Sequence, residues 1–380
     1  MQPWFWDDTH SALKESLDRW VDQEIRPHAD EWEAAKSFPR ALHQRAGDAG
    51  ILGIGYPEAY GGAGGDIFHE LIACEALIRG CSPGTAAGLS SHSIALPPIL
   101  ALGDEAQKQR FAPPVLSGQA VAALGVTEPG AGSDVAGTRT TAVRDGDHYV
   151  VNGTKTFITS GIRADLVTTL VRTGEDHHGG LTLLVIERGT PGFSVGQPLE
   201  KMGWEASDTA ELFFEDCRVP VANRLADEGS GFIGLMVNFV AERLYLAASC
   251  VSIAQLALDT TLTYVQHREA FGKTLAGFQV TRHKLAEMAT RTQSARAFVS
   301  TIAARHRDGE DVTTQVAMAK NTAVEACSFV TDAAVQLHGG MGYMREALVE
   351  RLYRDARLYP IGGGTTEIMR ELISRRLLAD

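Results

Sequence analysis

The sequence predicts an α+β protein with an N-terminal α-helical domain, a middle β-domain and a C-terminal four-helix bundle. Three observations lead to this prediction. Apolar residues recur at helical spacing in the first third of the chain, short β-branched segments bounded by turns follow, and long helical patterns fill the last part. The chain has 380 residues, enough for two or three domains. We expect domains at residues 1–119, 120–222 and 223–380.

The N-terminal domain is predicted from segments with helical periodicity. The first segment has apolar residues at helical spacing, namely Leu13, Leu17, Trp20, Val21 and Ile25. Pro27 is expected to bend or end this helix, because proline lacks the N–H that a helix interior uses. Further helices are expected in "FPRALHQRAGDAGILGI" and "HELIACEALIRG". The segment "DEAQKQRFAPPVLSG" predicts a short helix that Pro113 and Pro114 stop.

The middle domain is predicted from short segments that turn residues separate. They are "AALGVTEP", "TTAVRDGDHYVVNGTKTFITSG", "LVTTLVRTG", "LTLLVIERG", "FSVGQPL" and "AELFFEDCRVP". Asn152-Gly153 lies between two β-type runs and predicts a hairpin turn there. From residue 231 onward four long segments have helical periodicity, which favours an antiparallel bundle.

Composition and charge exclude several classes of protein. The net charge is -12, which argues against a nucleic-acid partner, because phosphates attract Lys and Arg. No apolar run is expected to reach membrane-spanning length, and the N-terminus has no pattern typical of a signal or transit peptide. Cysteines are scattered, which suits reduced thiols and a cytoplasmic protein. No residue spacing typical of a metal site is present.

Two segments carry candidate chemistry. In "VTEPGAGSDVAG" the backbone N–H groups of residues 130–133 and the Ser133 hydroxyl could hold a phosphate or a polar ring edge, but a tight β-turn explains them equally well. The surroundings are neither a Rossmann unit nor a P-loop. The second segment, "RDARLYPIGGGTTEI", contains three consecutive glycines, which suit a sharp turn or the close approach of a ligand.

Five motifs together resemble the acyl-CoA dehydrogenase family over essentially the whole chain. They are "VTEPGAGSD", "NGTKTFITSG", "HREAFGK", "QLHGGMGY" and "RDARLYPIGGGTTEI", in that order. The resemblance implies an FAD enzyme that forms a double bond between the α and β carbons of an acyl-CoA thioester. It places the flavin ring between the β-domain and the C-terminal bundle. It also implies an electron-transfer flavoprotein as the electron acceptor.

The resemblance implies roles for individual residues. The expected FAD contacts within one chain are Val126, Thr127, Ser133, Phe157, Thr159, Thr365 and Glu367. Those expected to reach the FAD of a neighbouring subunit are Arg268, Phe271, Gln336 and Gly340. A shared site of this kind implies a homo-oligomer, usually a tetramer arranged as a dimer of dimers. Simpler explanations stay open, since Arg268 could be a surface charge, Phe157 a core residue and Gln336 part of an inter-helix hydrogen bond.

The catalytic base is expected on a helix. Many family members carry the base, a Glu, in the C-terminal loop, where this chain has Gly363. The isovaleryl-CoA and long-chain subgroups place it directly before an Arg on a helix, and this chain has Glu242 before Arg243 in "VNFVAERLYLAAS". The resemblance therefore implies Glu242 as the base and the Gly363 N–H as a donor to the thioester oxygen. Ser133, Arg243 and Gly362 are expected to contact substrate.

Several alternatives remain open from the sequence. "IGGGT" resembles the isovaleryl type and "GGTTEIMREL" the long-chain type, so acyl-chain length and branching stay undecided, as does the pathway. Val240 stands where several members have an Asp that contacts the pantetheine arm. A flavin-dependent oxidase or monooxygenase on the same fold is an alternative function. A non-catalytic protein that binds acyl-CoA or flavin is another.

Overall fold

The structure is a computed structural model that describes residues 5–379, and its element order is helical, then β, then helical. The first helices are α1 (Asp8–Glu24), α2 (Ala29–Ala34), α3 (Ala41–Asp48), α4 (Ile67–Arg79), α5 (Pro83–Leu89), α6 (His92–Leu102) and α7 (Glu105–Leu116). The strands are β1 (Ala122–Gly125), β2 (Thr141–Asp145), β3 (His148–Thr159), β4 (Leu166–Arg172), β5 (Leu181–Glu187), β6 (Phe193–Val195), β7 (Thr209–Pro220) and β8 (Arg224–Leu225). The remaining elements are α8 (Gly231–Val237), α9 (Phe239–His267), the hairpin strands β9 (Glu269–Ala270) and β10 (Lys273–Thr274), α10 (Gln279–Arg307), α11 (Thr313–His338), α12 (Leu348–Ala356) and α13 (Thr366–Leu378).

The helices predicted in the N-terminal part form as α1, α3, α4 and α7, while α2, α5 and α6 were not predicted. α1 gives way to a 3-10 turn at Arg26–His28, where Pro27 was expected to end it. Pro113 and Pro114 do not stop α7, which continues to Leu116. The two prolines donate no N–H, but their carbonyls accept the N–H groups of Ser117 at 3.0 Å and Ala120 at 2.8 Å, so the end of the helix stays hydrogen-bonded. Burial of the apolar face of α7 also favours the helix there.

The middle domain is one mixed sheet with the strand order β6-β7-β3-β2-β4-β5-β8. Its pairs are antiparallel except where β1 and β2 run parallel to β4. The predicted hairpin at Asn152-Gly153 is wrong, because the chain turns earlier, at Gly146 with φ +63°, between β2 and β3. Asn152 instead lies at an irregularity within β3, where its side chain exchanges two hydrogen bonds with Asp216 of β7.

The C-terminal domain consists of the long helices α9, α10 and α11 with the shorter α12 and α13 packed against α11. The segment Gly231–His267 is apolar and long enough to span a membrane by length and hydropathy alone, contrary to the expectation from the sequence. In the fold, α9 packs against α4, α10 and α11. These contacts are those of the central helix of a bundle.

The N-terminal helices join the other two domains. One hydrophobic core combines α1 and α4 with the C-terminal helices, and a second combines α6 and α7 with strands β1, β4 and β5. A third core lies within the β-domain itself. The region where α5, α6, the β-domain and α9 come together contains the cavity described next.

Candidate active site

A cavity of about 1510 Å³ lies where the three parts of the chain meet. Its walls come from α5 and α6, from the loops and strands of the β-domain, from α8 and α9, and from the glycine-rich loop before α13. Most of the site residues expected from the sequence line it. They are Val126, Thr127, Ser133, Phe157, Thr159, Glu242, Arg243, Gly362, Gly363 and Thr365.

Glu242 and Gly363 lie next to each other in this cavity. Gly363 has φ +61°, and a Cβ built on it would lie 3.3 Å from Glu242 Oε1. The same Cβ would lie only 2.2 Å from Leu246 Cδ1, one turn further along α9. Because Leu246 and Glu242 fill this space, a side chain at position 363 would require the Leu246 side chain to move.

Burial changes the acid–base properties of Glu242. Removal from solvent raises the pKa of its carboxyl group, and the charges of Arg243 and Lys320 act in the opposite direction. A desolvated carboxylate with a raised pKa is a stronger proton acceptor than one in water. Glu242 is therefore suited to removing a proton from a ligand held in the cavity.

Arg243 presents an unused hydrogen-bond donor. Its guanidinium lies over the ring of Phe239, 4.7 Å from the centroid. Burial lowers the pKa of this guanidinium. Its Nε atom is buried and, among the described residues, has no hydrogen-bond partner. Because buried donors in proteins are nearly always paired, this atom is free to bind a group that the chain itself does not provide.

A buried ion pair holds the β-domain wall in place. Lys155 Nζ lies 2.8 Å from Glu128 Oε1 and donates to the Val126 carbonyl at 3.0 Å. The Thr156 N–H donates to the Thr127 carbonyl at 2.8 Å. These bonds tie the loop after β1 to the end of β3. The motifs "VTEPGAGSD" and "NGTKTFITSG" therefore form one structural unit.

Phe157 shows the features of a ligand contact. It lines the cavity with 69% of its surface exposed and has φ +59°, which is uncommon for a residue other than glycine. Strained backbone and an exposed aromatic ring are often found where a ligand binds. The alternative that Phe157 is a core residue is therefore wrong.

The remaining predicted residues lie outside the cavity and on the surface of the described chain. They are Arg268, Phe271, Gln336, Gly340 and Glu367. Phe271, at the tip of the β9–β10 hairpin, is 97% exposed. One chain alone does not bring these residues to the site, and their roles stay predictions. His338, two residues after Gln336, is buried and stacks on Tyr264 at 4.1 Å.

Two residues near the site escaped the sequence analysis. Lys320 of α11 is buried, and its Nζ donates to the carbonyls of Gly362 at 2.6 Å and Gly364. It could have been noticed because it stands at helical spacing from buried apolar residues of α11. His178, exposed in the loop between β4 and β5, also lines the cavity, and its ring lies 4.6 Å from the ring of Phe232.

A histidine cluster away from the cavity has a structural role. Nitrogen and oxygen atoms of His10, Asp66 and His69 lie within 4.8 Å of one another. His10 and His69 each accept a backbone N–H at the start of a helix, α1 and α4 respectively. With its Nδ1 accepting, His10 donates from Nε2 to the Asp66 carboxylate at 3.0 Å, and this bond links the two helix ends.

Comparisons with known proteins agree with this architecture. Sequence models of the acyl-CoA dehydrogenase N-terminal, middle and C-terminal domains match residues 7–119, 123–217 and 229–378. The mitochondrial long-chain specific acyl-CoA dehydrogenase of Sus scrofa is 42% identical over 98% of this chain and 87% of its own length.

Solved structures of similar proteins share the whole fold. A structure described as a probable acyl CoA dehydrogenase from Mycobacterium abscessus is 50% identical, with a TM-score of 0.96 over 98% of this chain and 100% of that one. Butyryl-CoA dehydrogenase from Megasphaera elsdenii is 34% identical, with a TM-score of 0.95 over 100% of both chains. The family reaction is the FAD-dependent dehydrogenation of an acyl-CoA, and its members are flavoproteins. The chain, with all three domains and the cavity between them, belongs to the acyl-CoA dehydrogenase family.

Proposed function

We propose that this protein removes the α-proton of an acyl-CoA with Glu242 while the Gly363 N–H binds the thioester oxygen. The single observation that carries the proposal is the arrangement of α9 and the glycine-rich loop. The Glu242 carboxylate occupies the space in front of Gly363, and a side chain at that position would collide with Leu246. The Glu242 carboxylate and the Gly363 N–H thus come from different elements of the fold but lie side by side in the cavity.

The residues of the β-domain wall fit an FAD. Phe157 offers an exposed aromatic ring, and the loop at Gly130 and Gly132 has open space beside both glycines, so that a ligand can approach its backbone. Thr127, Ser133, Thr159 and Thr365 supply hydroxyl groups around the same cavity. When bound, FAD supplies the acceptor for the hydride that leaves the β carbon.

The loop donor is available for a ligand. The Gly362 N–H is used by the chain, since it donates to the Leu358 carbonyl at 2.9 Å. Within residues 5–379, the Gly363 N–H has no such partner. A fixed backbone N–H beside the thioester stabilises negative charge that develops on the oxygen as Glu242 takes the proton. This half of the site needs no side chain at position 363.

We propose an extended acyl chain as the substrate. One face of α9 lines the cavity from Glu242 to Ser249, a distance of about 10 Å at about 1.5 Å per residue, which is the length of roughly eight carbons. Small residues of α5, Ala86 and Ala87, line the same cavity, as do Ile78 and Tyr359. Space of this length favours a straight chain over the short branched isovaleryl group, and the similarity to long-chain specific relatives supports the same choice.

Two partners follow from family membership. We propose that the reduced flavin passes its electrons to an electron-transfer flavoprotein. We also propose a homo-oligomer in which exposed residues such as Phe271 and Arg268 contact the FAD of a neighbouring subunit. The exposed position of both residues supports this proposal.

Anaerobic reduction of the bound flavin tests the function. The protein is titrated with isovaleryl-, octanoyl- and palmitoyl-CoA, and loss of the oxidised flavin absorbance is followed. We expect octanoyl- or palmitoyl-CoA to reduce the flavin fastest, and Glu242→Gln to slow reduction about 10²–10⁴-fold, the usual contribution of a general base. Glu371→Gln is the matched control, because Glu371 is another carboxylate lining the cavity.

Two results would contradict the proposal. Equal rates for Glu242→Gln and the unmodified protein would exclude Glu242 as the base. A flavin that none of the acyl-CoA compounds reduces would exclude the dehydrogenation of these substrates. Rapid reoxidation of the reduced flavin in air would instead favour the alternative function of an oxidase.

A further inference from the structure

Lys320 is a buried cation close to the proposed catalytic residues. It lies on α11 with 1% of its surface exposed, and apolar residues of the same helix surround it. Its ammonium donates to the carbonyls of Gly362, at 2.6 Å, and Gly364. Among the described residues it forms no ion pair within 4.0 Å. Because an unpaired buried charge costs free energy, such a residue requires an explanation.

Comparison with the other fully buried lysine makes the difference clear. Lys155 has a carboxylate partner, Glu128, at 2.8 Å and so forms a complete ion pair. Within residues 5–379, the hydrogen-bond partners of Lys320 are backbone carbonyls alone, and these belong to the two residues that flank Gly363. Its position is therefore determined by the glycine-rich loop rather than by charge neutralisation.

The glycine-rich loop needs an external restraint. Gly363 and Gly364 have φ values of +61° and +88°, and glycine is the residue with the greatest backbone freedom. In the part of the chain that the structure describes, the backbone N–H groups of Gly362 and Thr366 form hydrogen bonds at the two ends of the loop and none forms between them. Lys320 holds the middle of the loop from a long, buried helix.

We propose that Lys320 is a positioning residue for the dehydrogenation site. It holds the carbonyls on both sides of Gly363, which fixes the direction of the Gly363 N–H, and its charge favours the ionised form of Glu242. The inference rests on the proposed function, since it assigns a task to the donor and to the base of that reaction. Lys320 itself does not line the cavity and acts through these two residues.

The electrostatic half of the proposal depends on the groups around the ammonium. Burial lowers the pKa of Lys320 to about 8, while Cys250 and Glu242 oppose this shift and Arg243 adds to it. Lys320 is thus charged at neutral pH. Its charge lowers the pKa of Glu242, which burial raises. Without this charge the pKa of Glu242 increases further, and a higher pH is needed to ionise the base.

Activity as a function of pH tests the proposal. Lys320→Met and Lys320→Arg are compared with the unmodified holoenzyme, with the acyl-CoA that reduces its flavin fastest. We expect Lys320→Met to lower kcat about 10–100-fold, as for a misplaced reacting group, with KM changed less than about threefold. The acid limb of the kcat profile should move to higher pH. Lys320→Arg keeps the charge and should keep the acid limb.

Hydrogen exchange provides a measurement that is independent of turnover. We expect the amides of residues 361–365 to exchange about tenfold faster in Lys320→Met, because the restraint on the loop is lost. Arg188→Met is the matched control. Arg188 also donates to backbone carbonyls, those of Ala164 and Ile162, but it does not line the cavity. This control should change neither the acid limb nor exchange in the loop.

The possible outcomes separate the two proposals. A Lys320→Met protein with the original kcat, acid limb and loop exchange would overturn the positioning role. A lower melting temperature with the original acid limb and the original loop exchange would also overturn it, because a purely structural lysine gives that result. If Lys320→Met does not fold, the same measurements on Lys320→Gln decide, since a displaced acid limb with faster loop exchange supports the role and original values of both overturn it. Failure of the unmodified protein to react would contradict the proposed function, and loop exchange would still test the restraint.

Discussion

Gly363 occupies a position that no other residue fits without strain. Its φ of +61° costs an L-residue about 1–2 kcal/mol, and a Cβ there would press against Leu246. We therefore expect Gly363→Ala to lower the free energy of unfolding by about 1–3 kcal/mol. We also expect slower flavin reduction, because relief of the contact displaces α9 side chains next to the base. Denaturant unfolding and anaerobic reduction measure the two effects.

The neighbouring glycine provides the control for this experiment. A Cβ on Gly362 would have its nearest neighbour at 3.7 Å, in ordinary contact. Gly362→Ala should leave the free energy of unfolding within about 0.5 kcal/mol of the original or raise it slightly, as is usual at compatible glycines. If Gly363→Ala were equally harmless, the lack of space at position 363 would not explain why the base lies on α9.

Individual residues of the site differ in how far the sequence revealed them. The roles of Glu242 and Gly363 could be predicted together. In the isovaleryl-CoA and long-chain subgroups, the base stands before an Arg on a helix and the loop has a small residue in place of the Glu. The sequence does not show that Leu246 fills the space beside Gly363, since that depends on how α9 packs against the loop. Lys320 was missed because its partners are backbone carbonyls more than 40 residues away. Every residue has a carbonyl, so the sequence does not show which one a side chain contacts.

At the scale of elements, β3 depends on a glycine at its irregular pairing with β7. Gly153 has φ +149°, and a Cβ there would lie 2.7 Å from the Thr140 Cα atom. Because a backbone atom cannot move aside, we expect Gly153→Ala to lower the free energy of unfolding by about 2–3 kcal/mol. Gly130→Ala is the control, since its Cβ would meet open space. Equal denaturant midpoints for the two variants would contradict this prediction.

The same strand shows why local signals fail. Both Asp145-Gly146 and Asn152-Gly153 are typical hairpin dipeptides, and the chain turns only at the first. Asn152 and Gly153 stay within β3 because β7 supplies partners along both halves of the long strand. The prolines of α7 are a second example, because burial of the apolar face of this helix outweighs the local tendency of proline to end a helix. Periodicity therefore predicted the elements, while tertiary contacts decided where some of them end.

At the scale of the whole molecule, the cavity combines residues that are far apart in the chain. Phe157 comes from the β-domain, Glu242 from α9 and Thr365 from the start of α13. The order of helical, β and helical parts could be read from periodicity alone. How the parts pack together could not, because the cores that join them involve side chains from distant segments. Only the family resemblance predicted that these residues share one site.

The exposed hairpin between α9 and α10 leads to a prediction about assembly. Phe271 is 97% exposed at its tip, and an aromatic side chain of this kind is costly to leave in water. In a symmetric dimer one substitution changes both copies of the contact. We therefore expect Phe271→Ala to raise the dissociation constant of the oligomer by at least about 100-fold, corresponding to roughly 3 kcal/mol. The flavin content of the purified protein should fall with it.

Sedimentation velocity over a range of concentrations, together with the flavin-to-protein ratio, measures both effects. Val143→Ala is the matched control, because Val143 is an exposed apolar residue of β2 in the middle domain. It should change neither the assembly nor the flavin content. If Phe271→Ala has the mass and flavin content of the unmodified protein, the hairpin is not part of a shared site. A change in mass with full flavin retention would place the hairpin at the interface but away from the cofactor, because loss of an FAD contact must weaken FAD binding.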